Sequence, residues 1–485
     1  MKTKKIFLLS VLTAGLALMP VEGMKGQNLT NLHYFGSTPS DGQVPGGLIQ
    51  AEGTLYGVTY YGGTLGNHGN NGTVFRISPD GTHYTNLYNF TATSANFTNN
   101  DGAHPGGAYA LNSTLVYSDG VLFGSTFDGG RFGAGTIFRI NSDGTSFTNL
   151  HDFGGSEGAA PHAGLTVSGN TLYGVTTAGG GAGLGTAFKL TSNGSNLLVL
   201  HAFTATTGDA FTNSDGGQPL GGLLLLGDTI YGTAQVGGTL GYGTLFAVNT
   251  DGTGFTNLHN FGDAGDGVNP SGALISSGGT LYGTASDLVF AINTNGSGYT
   301  HVYDFPPTSG SYPFYTNDAG TYPLGGLILS GSALFGTASQ GGRFGDGTLF
   351  AVNTNGSGFV NIYDFSSASG PPSSLTNWDG RIPSGALALS GNTLYGTANA
   401  GGIFSYGTAF SLSLPLPPQL AINRSAANVV LSWATNDTRF TLESNTNLNA
   451  NDWSVVAPAP AVSGTNNVVT NNLSGPTRFY RLHRL

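Results

Sequence analysis

The stretch "TLYGVTYYGG" at residues 54–63 returns as "TLYGVTTAGG" at 171–180, "TIYGTAQVGG" at 229–238 and "TLYGTANAGG" at 393–402. The glycine of the shared (L/I)-(Y/F)-G falls at Gly57, Gly124, Gly174, Gly232, Gly283, Gly336 and Gly396. The seven copies are 50 to 67 residues apart, a period that suggests propeller blades or arrays rather than a short-coil solenoid.

Each unit carries four candidate strands. In the third, "AGLTVS" (163–168) follows a proline, and "TLYGVT" (171–176) comes next after a tight turn. A Gly-rich loop then leads to "GTAFKL" (185–190), and "SNG" turns the chain into "LLVLHAF" (197–203). Short runs rich in β-branched and aromatic residues, separated by Asp-Gly and Asn-Gly, read as antiparallel strands joined by hairpins. We name them a, b, c and d. The aromatic beside each repeated glycine (Tyr56, Phe123, Tyr173, Tyr231, Tyr282, Phe335, Tyr395) reads as packing between neighbouring units. Gly-rich starts of strand a, such as Gly46-Gly47 and Gly325-Gly326, suit a crowded axis where strands converge.

Unit seven has a, b and c but runs into Pro415, Pro417 and Pro418 without a d strand. "LTNLHYF" (29–35) stands alone before unit one and matches the d strands "YTNLYNF" (84–90) and "FTNLHNF" (255–261). The reading is an all-β chain. Residues 27–413 form a seven-bladed β-propeller closed by an N-terminal outer strand, which leaves no free sheet edge between first and last blade. An open solenoid does not explain why the lone d strand and its partners lie at opposite ends.

Lys2, Lys4 and Lys5 precede an apolar run from Ile6 to Met19, with small residues at Gly23 and Gly26. This pattern predicts a cleaved signal peptide over 1–26, and hence a secreted or cell-surface protein with no membrane span. With no Cys in 485 residues, stability cannot come from disulfides. Removing 1–26 leaves 11 basic and 24 acidic groups, a net charge of −13. Such a surface repels phosphate backbones, so nucleic acid is excluded as a partner class. The expected partners are polysaccharide or an extracellular protein, and the expected state is a monomer.

After a Pro-rich linker (414–419), residues 420–485 hold five or six strand-like runs, which predict a small antiparallel β-sandwich. Trp433 and Tyr480 resemble the core aromatics of fibronectin type III domains, with the last strand of the usual seven missing.

The pattern DG-x-x-P-x-G-L…LYGT…GG…GT-x-F…DG…L-x-x-F resembles the GloVer tandem-repeat family of secreted bacterial proteins. The stretch 214–261 is a close match, and the resemblance covers about 28–412. The Gly-Gly after strand b also resembles kelch propellers. The resemblance implies fold and secretion and brings no catalytic residues.

The b–c and d–a loops leave the same end of each unit and are long, as in 60–72, 91–105 and 204–219. Binding residues concentrate on such loops. Each d–a loop has an acid before its proline: Asp41, Asp101, Glu157, Asp215, Asp266, Asp318 and Asp379. Seven carboxylates could hold calcium or serve glycoside chemistry. Their presence in every unit favours a structural role, capping turns through backbone N–H groups. Residues that break the repeat are the better ligand-binding candidates: Arg131, Arg343, Trp378, Arg381, His68, His104, Tyr61 and Tyr242. His162 also sits on this face, and unit five replaces its b–c loop with "SDLVF". The arginines suit sugar or carboxylate recognition, or else pair with acids such as Asp346. Tyr60, Phe132, Phe344 and Tyr406 extend the aromatic set, which suits neutral sugar or loop packing. No Cys nucleophile, G-x-S-x-G elbow, H-E-x-x-H motif or D-x-D-x-D-G loop is present, so no cofactor, metal or catalytic residue is assigned. A polysaccharide hydrolase or lyase built from carboxylates of different units is the alternative.

Overall fold

The computed structural model describes residues 24, 27–38, 40–63, 70–106, 115–208, 211–262, 265–311, 314–371, 374–415, 420–425, 428–434, 440–447, 452–472 and 478–484. The expected signal peptide, Met24 excepted, lies outside them, as do His68 and linker residues 416–419. Every regular element among the described residues is a β-strand. None of them is a helix long and apolar enough to cross a membrane. Residues Met24–Leu414 form one compact unit, and Pro415–Leu485 belong to another.

The larger unit repeats one antiparallel sheet seven times. In sheet three, strands a to d are Thr166–Ser168, Thr171–Thr176, Thr186–Thr191 and Leu198–Ala202, bonded in chain order. The opening motif has a packing cause. Gly174 of strand b lies opposite Phe188 of strand c, as Gly57 does Phe75 and Gly396 does Phe410. The phenylalanine ring crosses the glycine. A Cβ on any of the seven glycines would sit 2.5–2.6 Å from the ring's Cζ. "LYG" and "GT-x-F" are thus the two halves of one contact.

Side chains alternate across the strand, so the neighbours of that glycine divide between two cores. Leu172 and Phe188 pack back on Phe123 of sheet two. Tyr173 packs forward with Leu223, Ile230 and Phe246 of sheet four. The same rule joins the ends of the unit: Tyr395 of sheet seven shares a core with Leu48, Leu55 and Phe75 of sheet one.

Strand d of sheet seven is Leu29–Tyr34, paired antiparallel with Thr408–Ser413. The pairing slips between Asn31 and His33, which leaves Leu32 unpaired and buried. The same slip passes over Leu150, Leu200, Leu258, Val302 and Ile362 in other d strands. The N-terminal strand therefore repeats the register irregularity of its counterparts.

Strand a is shorter than the sequence suggests: only Thr166–Ser168 of 163–168 joins the ladder. The residues before the proline pair further along strand b instead, as Gly42–Pro45 and Ala103–Pro105 do. The proline lacks an N–H, and the residue before it has φ between +52° and +57° in all seven sheets, so the ladder breaks there. Between the two ladders, glycines of successive sheets crowd together. A Cβ on Gly221 would lie 2.7 Å from Gly272 O, one on Gly272 3.0 Å from Gly325 O, and one on Gly385 2.9 Å from Gly47 Cα.

The smaller unit has two sheets. One orders Ala421–Ser425, Asn428–Ala434, Asn466–Asn472 and Ala461–Ser463; the other orders Ser454–Val455, Phe440–Asn445 and Phe479–Arg484. Trp433, Leu431, Leu442 and Val469 form its core, with Tyr480 against them. Ala461–Ser463 is a seventh strand, beyond the six runs legible in the sequence.

Candidate functional site

The acids of the d–a loops belong to joints between sheets. Strand d ends in (L/V/I)-(H/Y)-x-F, and in six of the seven sheets its His or Tyr reaches the acid that follows. His33 Nε2 is 3.2 Å from Asp41, His201 Nε2 2.8 Å from Asp215, His259 Nε2 3.2 Å from Asp266 and His151 Nε2 3.5 Å from Glu157. The hydroxyls of Tyr88 and Tyr363 donate to Asp101 (2.8 Å) and Asp379 (2.6 Å). Each of these carboxylates also accepts a backbone N–H from the loop start, from Ser37, Thr91, Gly154, Thr204, Gly262 or Ser366, at 2.7–3.1 Å. Several of the rings then stack on the next sheet's outer hairpin: His33 on Tyr84, Tyr88 on Phe147, His201 on Phe255 and His259 on Tyr299.

Burial pushes the carboxyls of Asp41 and Asp215 upward. Hydrogen bonds from His33 and Ser37, and from His201 and Thr204, outweigh it, so both titrate below the usual value. In Glu157, likewise, Ser156 and the Gly154 N–H overcome burial. A general acid needs the opposite shift.

A second tie runs along the pre-proline residues. The N–H groups of Val44, His104, Ala160, Gln218, Asn269 and Ile382 each donate to a carbonyl just before strand c of the preceding sheet, at 2.8–3.0 Å. The proline that follows rests on a glycine there. A Cβ on Gly135 would lie 2.6 Å from Pro161 Cδ, and one on Gly407 2.6 Å from Pro45 Cδ. A non-glycine residue at positive φ costs about 1–3 kcal/mol and persists only when its surroundings fix it. This inter-sheet bond is the fixing contact.

Both ties fail between sheets five and six. In three of the complete loops, an Asn two residues before the acid holds the turn by accepting an N–H from the glycine after the acid: Asn99 from Gly102, Asn213 from Gly216, Asn377 from Gly380. Asn317 does the same with Gly320. Counted from that Asn, the acid's place holds buried Ala319, and Asp318 stands one residue early and exposed. The expectation that Asp318 caps with the other acids is therefore corrected. Tyr303 still stacks on Phe359, at 3.6 Å, but meets no carboxylate at that place. The second tie lacks its acceptor loop, because Ala285 and Leu288 close sheet five by a tight hairpin. Tyr322 keeps its positive φ of 54° and is 45% exposed.

Beside this broken joint lies a cleft of about 630 Å³, lined by Tyr303, Pro306, Asp318, Arg343, Asn361 and Asp364. A cavity of about 420 Å³ shares Pro306, Asp318 and Arg343 and adds Pro307, Ser309 and Thr316.

The other candidate residues are dispersed. Arg343 is exposed, with its guanidinium 5.5 Å from the Phe344 ring and its backbone N–H on Asp364 at 2.8 Å. Arg131 repeats this arrangement with Phe132 and Asp152. The partner of Asp346 is Arg381 (2.7 Å), not Arg343, because Asp346 is buried facing the next d–a loop, where it also accepts the Ala368 N–H. Arg381 is committed to that joint. His104 bonds Asp128 at 2.8 Å and stacks on Tyr60, against which Tyr61 also packs. Trp378 is 48% exposed, and its carbonyl accepts Asn31 Nδ2. Tyr242 is partly exposed, and its carbonyl accepts the Asn269 N–H. His162 is buried. Among the described residues no three His, Cys, Asp or Glu side chains gather to hold a metal ion. Tyr303 and Ala319 escaped the sequence reading. Aligning the four loops that carry Asn-x-x-Gly on that motif rather than on the acid would have found Ala319.

Comparisons with solved structures return chains of low identity. A nidogen/laminin complex chain aligns at 17% identity and TM-score 0.36, over 55% of this chain and 81% of its own. A GH74 enzyme of Niastella koreensis aligns at 13% and 0.43, over 84% of this chain and 59% of its own. A puromycin-hydrolyzing peptidase of Mycobacterium tuberculosis aligns at 10% and 0.43, over 87% and 61%. The chain thus spans less than two thirds of the length of these last two. No curated protein gives a match to the sequence. The model of the Gloeobacter/Verrucomicrobia repeat matches residues 91–214 and 206–410, most of the seven-sheet unit, and the chain belongs to that repeat family.

Proposed function

We propose that this chain is a secreted, non-catalytic binding protein whose seven sheets are the blades of a closed β-propeller, with loops on one face that recognise neutral carbohydrate. Closure is supported by the pairing of Leu29–Tyr34 with Thr408–Ser413 and by the core shared between sheets seven and one. The basic and apolar N-terminus motivates secretion. We read the smaller unit as a short fibronectin type III-like sandwich, on its two sheets and buried Trp433.

One observation carries the binding reading. Large aromatic side chains stand out from the b–c and d–a loops: Phe97, Phe132, Phe211 and Trp378 are 48–66% exposed. Rings that only packed loops onto sheets would be covered. Aromatic faces among amide and hydroxyl donors suit sugars, whose apolar faces stack while their hydroxyls bond. The repeated acids are occupied in joints and are poor candidates for turnover.

A polysaccharide panel tests this on the chain lacking residues 1–26. Binding that survives moderate salt and falls tenfold or more in Trp378→Ala is expected, a loss of about 1.4 kcal/mol. Absence of binding to every polysaccharide would refute the reading, as would hydrolysis abolished by substituting one loop acid.

A further inference from the structure

The broken joint between sheets five and six differs from the other joints in three linked ways. The position that carries an acid in the other six joints is Ala319, the b–c loop of sheet five is missing, and Tyr303 has lost its carboxylate partner. A cleft of about 630 Å³ lies there, within the size range of small-ligand sites. A repeat conserves its joints because each one holds two sheets together. Omitting both ties at one junction forfeits that stabilisation and leaves polar groups facing a cavity.

The lining indicates what such a cavity takes. Arg343 contributes a guanidinium with no carboxylate partner among the described residues, and Tyr303 a phenol hydroxyl. Asn361 donates to Asp364 (2.9 Å) and to the Asp318 carbonyl (3.1 Å), while its buried Oδ1 has no partner. The same orphaned oxygen occurs at Asn149 and Asn257, so it is a feature of the repeat and not specific to the cleft. One guanidinium against two carboxylates, Asp318 and Asp364, disfavours a phosphate or a sugar acid. It suits vicinal hydroxyls, which accept from a planar guanidinium and donate to a carboxylate. Pro306 and Pro307 add apolar surface for the C–H face of a ring.

We propose that the cleft between sheets five and six is a binding subsite for one neutral sugar unit, with Arg343 and Asp318 on its hydroxyls and Tyr303 as a third polar contact. This rests on the carbohydrate-binding reading and locates its selective part away from Trp378.

The test titrates cellobiose, xylobiose, maltose and glucuronic acid into the chain lacking residues 1–26, followed by calorimetry. Saturable binding of a neutral disaccharide is expected, with at least tenfold loss in Arg343→Ala. Ala319→Asp restores the repeated acid opposite Tyr303. It is expected to raise the melting temperature while weakening the sugar at least tenfold, a pair of effects that misfolding does not give. Binding that survives both substitutions but is lost in Trp378→Ala would reject the cleft and leave the wider reading intact. Preference for glucuronic acid would overturn the neutral-sugar assignment. Absence of all binding, to these probes and to the polysaccharide panel, would remove both.

Discussion

Asp215 is buried and receives the His201 ring at 2.8 Å, the Thr204 N–H at 3.0 Å and the Thr204 hydroxyl. Asp215→Ala leaves these donors unpaired inside a joint, so denaturant unfolding should show a loss of about 1–3 kcal/mol. The same groups set a pH dependence. Asp41, Glu157 and Asp215 have folded pKa values below their unfolded ones, so their contribution is complete above a pH of about 4. It disappears as the pH falls through the folded values. Burial lowers the pKa of His259 more than Asp266 raises it, and this acts in the same direction. That contribution is complete above a pH of about 6.5 and lost as the pH drops through the lower folded value. Melting temperature should therefore be level from about pH 7 to about pH 9, below the range where tyrosines ionise, and fall on acidification, first with His259 and then with the carboxylates. Asp215→Asn should flatten the lower part of that fall, and an acid limb unchanged from wild type would refute the joint role. At this scale the acids were legible as a repeated set, but their partners were not. His33 and Asp41 are close in sequence, yet what joins them is the turn between a d strand and the next sheet. Asp318 misleads because a one-residue shift in "TNDAG" keeps an acid near the proline while moving it out of the joint.

Within a sheet, the repeated glycine and the phenylalanine opposite it form the element that most constrains sequence. Gly232→Ala would place a methyl 2.6 Å from Phe246 Cζ and 2.8 Å from Leu223 Cδ2. Overpacking of this kind costs about 1–3 kcal/mol. Shortening the ring in Gly232→Ala/Phe246→Leu should return part of that loss, because the clash is with the ring's far end. A double variant less stable than the sum of the two single changes would contradict the socket account. The four strands were readable because β-branched and aromatic runs alternate with Asp-Gly and Asn-Gly turns. The split in strand a was not. The pre-proline residues Val44, His104, Ala160, Gln218, Asn269, Tyr322 and Ile382 share no side-chain chemistry. What they share is a backbone angle fixed by a carbonyl of the sheet before, which a single sequence does not display.

Across the whole repeat, counting strands sufficed to pair the two ends of the seven-sheet unit, because a surplus d strand at one end and a missing one at the other is one-dimensional information. The cleft depends on two omissions instead, at Asp287 and Ala319, about thirty residues apart, which matter jointly only once sheets five and six are side by side. The end pairing gives the strongest stability test. Leu32 and Phe35 are buried in a core with Leu55, Phe75 and Tyr395, so deleting residues 29–35 removes both from it. Each such side chain contributes about 1.5–3 kcal/mol. The combined loss is a large part of the 5–15 kcal/mol that typically holds a domain. The deletion also strips the bonded partner from Thr408–Ser413 and leaves an unpaired sheet edge, a template for association between chains. The truncated protein should melt well below the full-length chain and elute as aggregate. Supplying a peptide of residues 27–36 should restore part of both properties, since the edge and its pocket would still be in place. An unchanged melting temperature with monomeric elution would mean that the two ends do not hold each other.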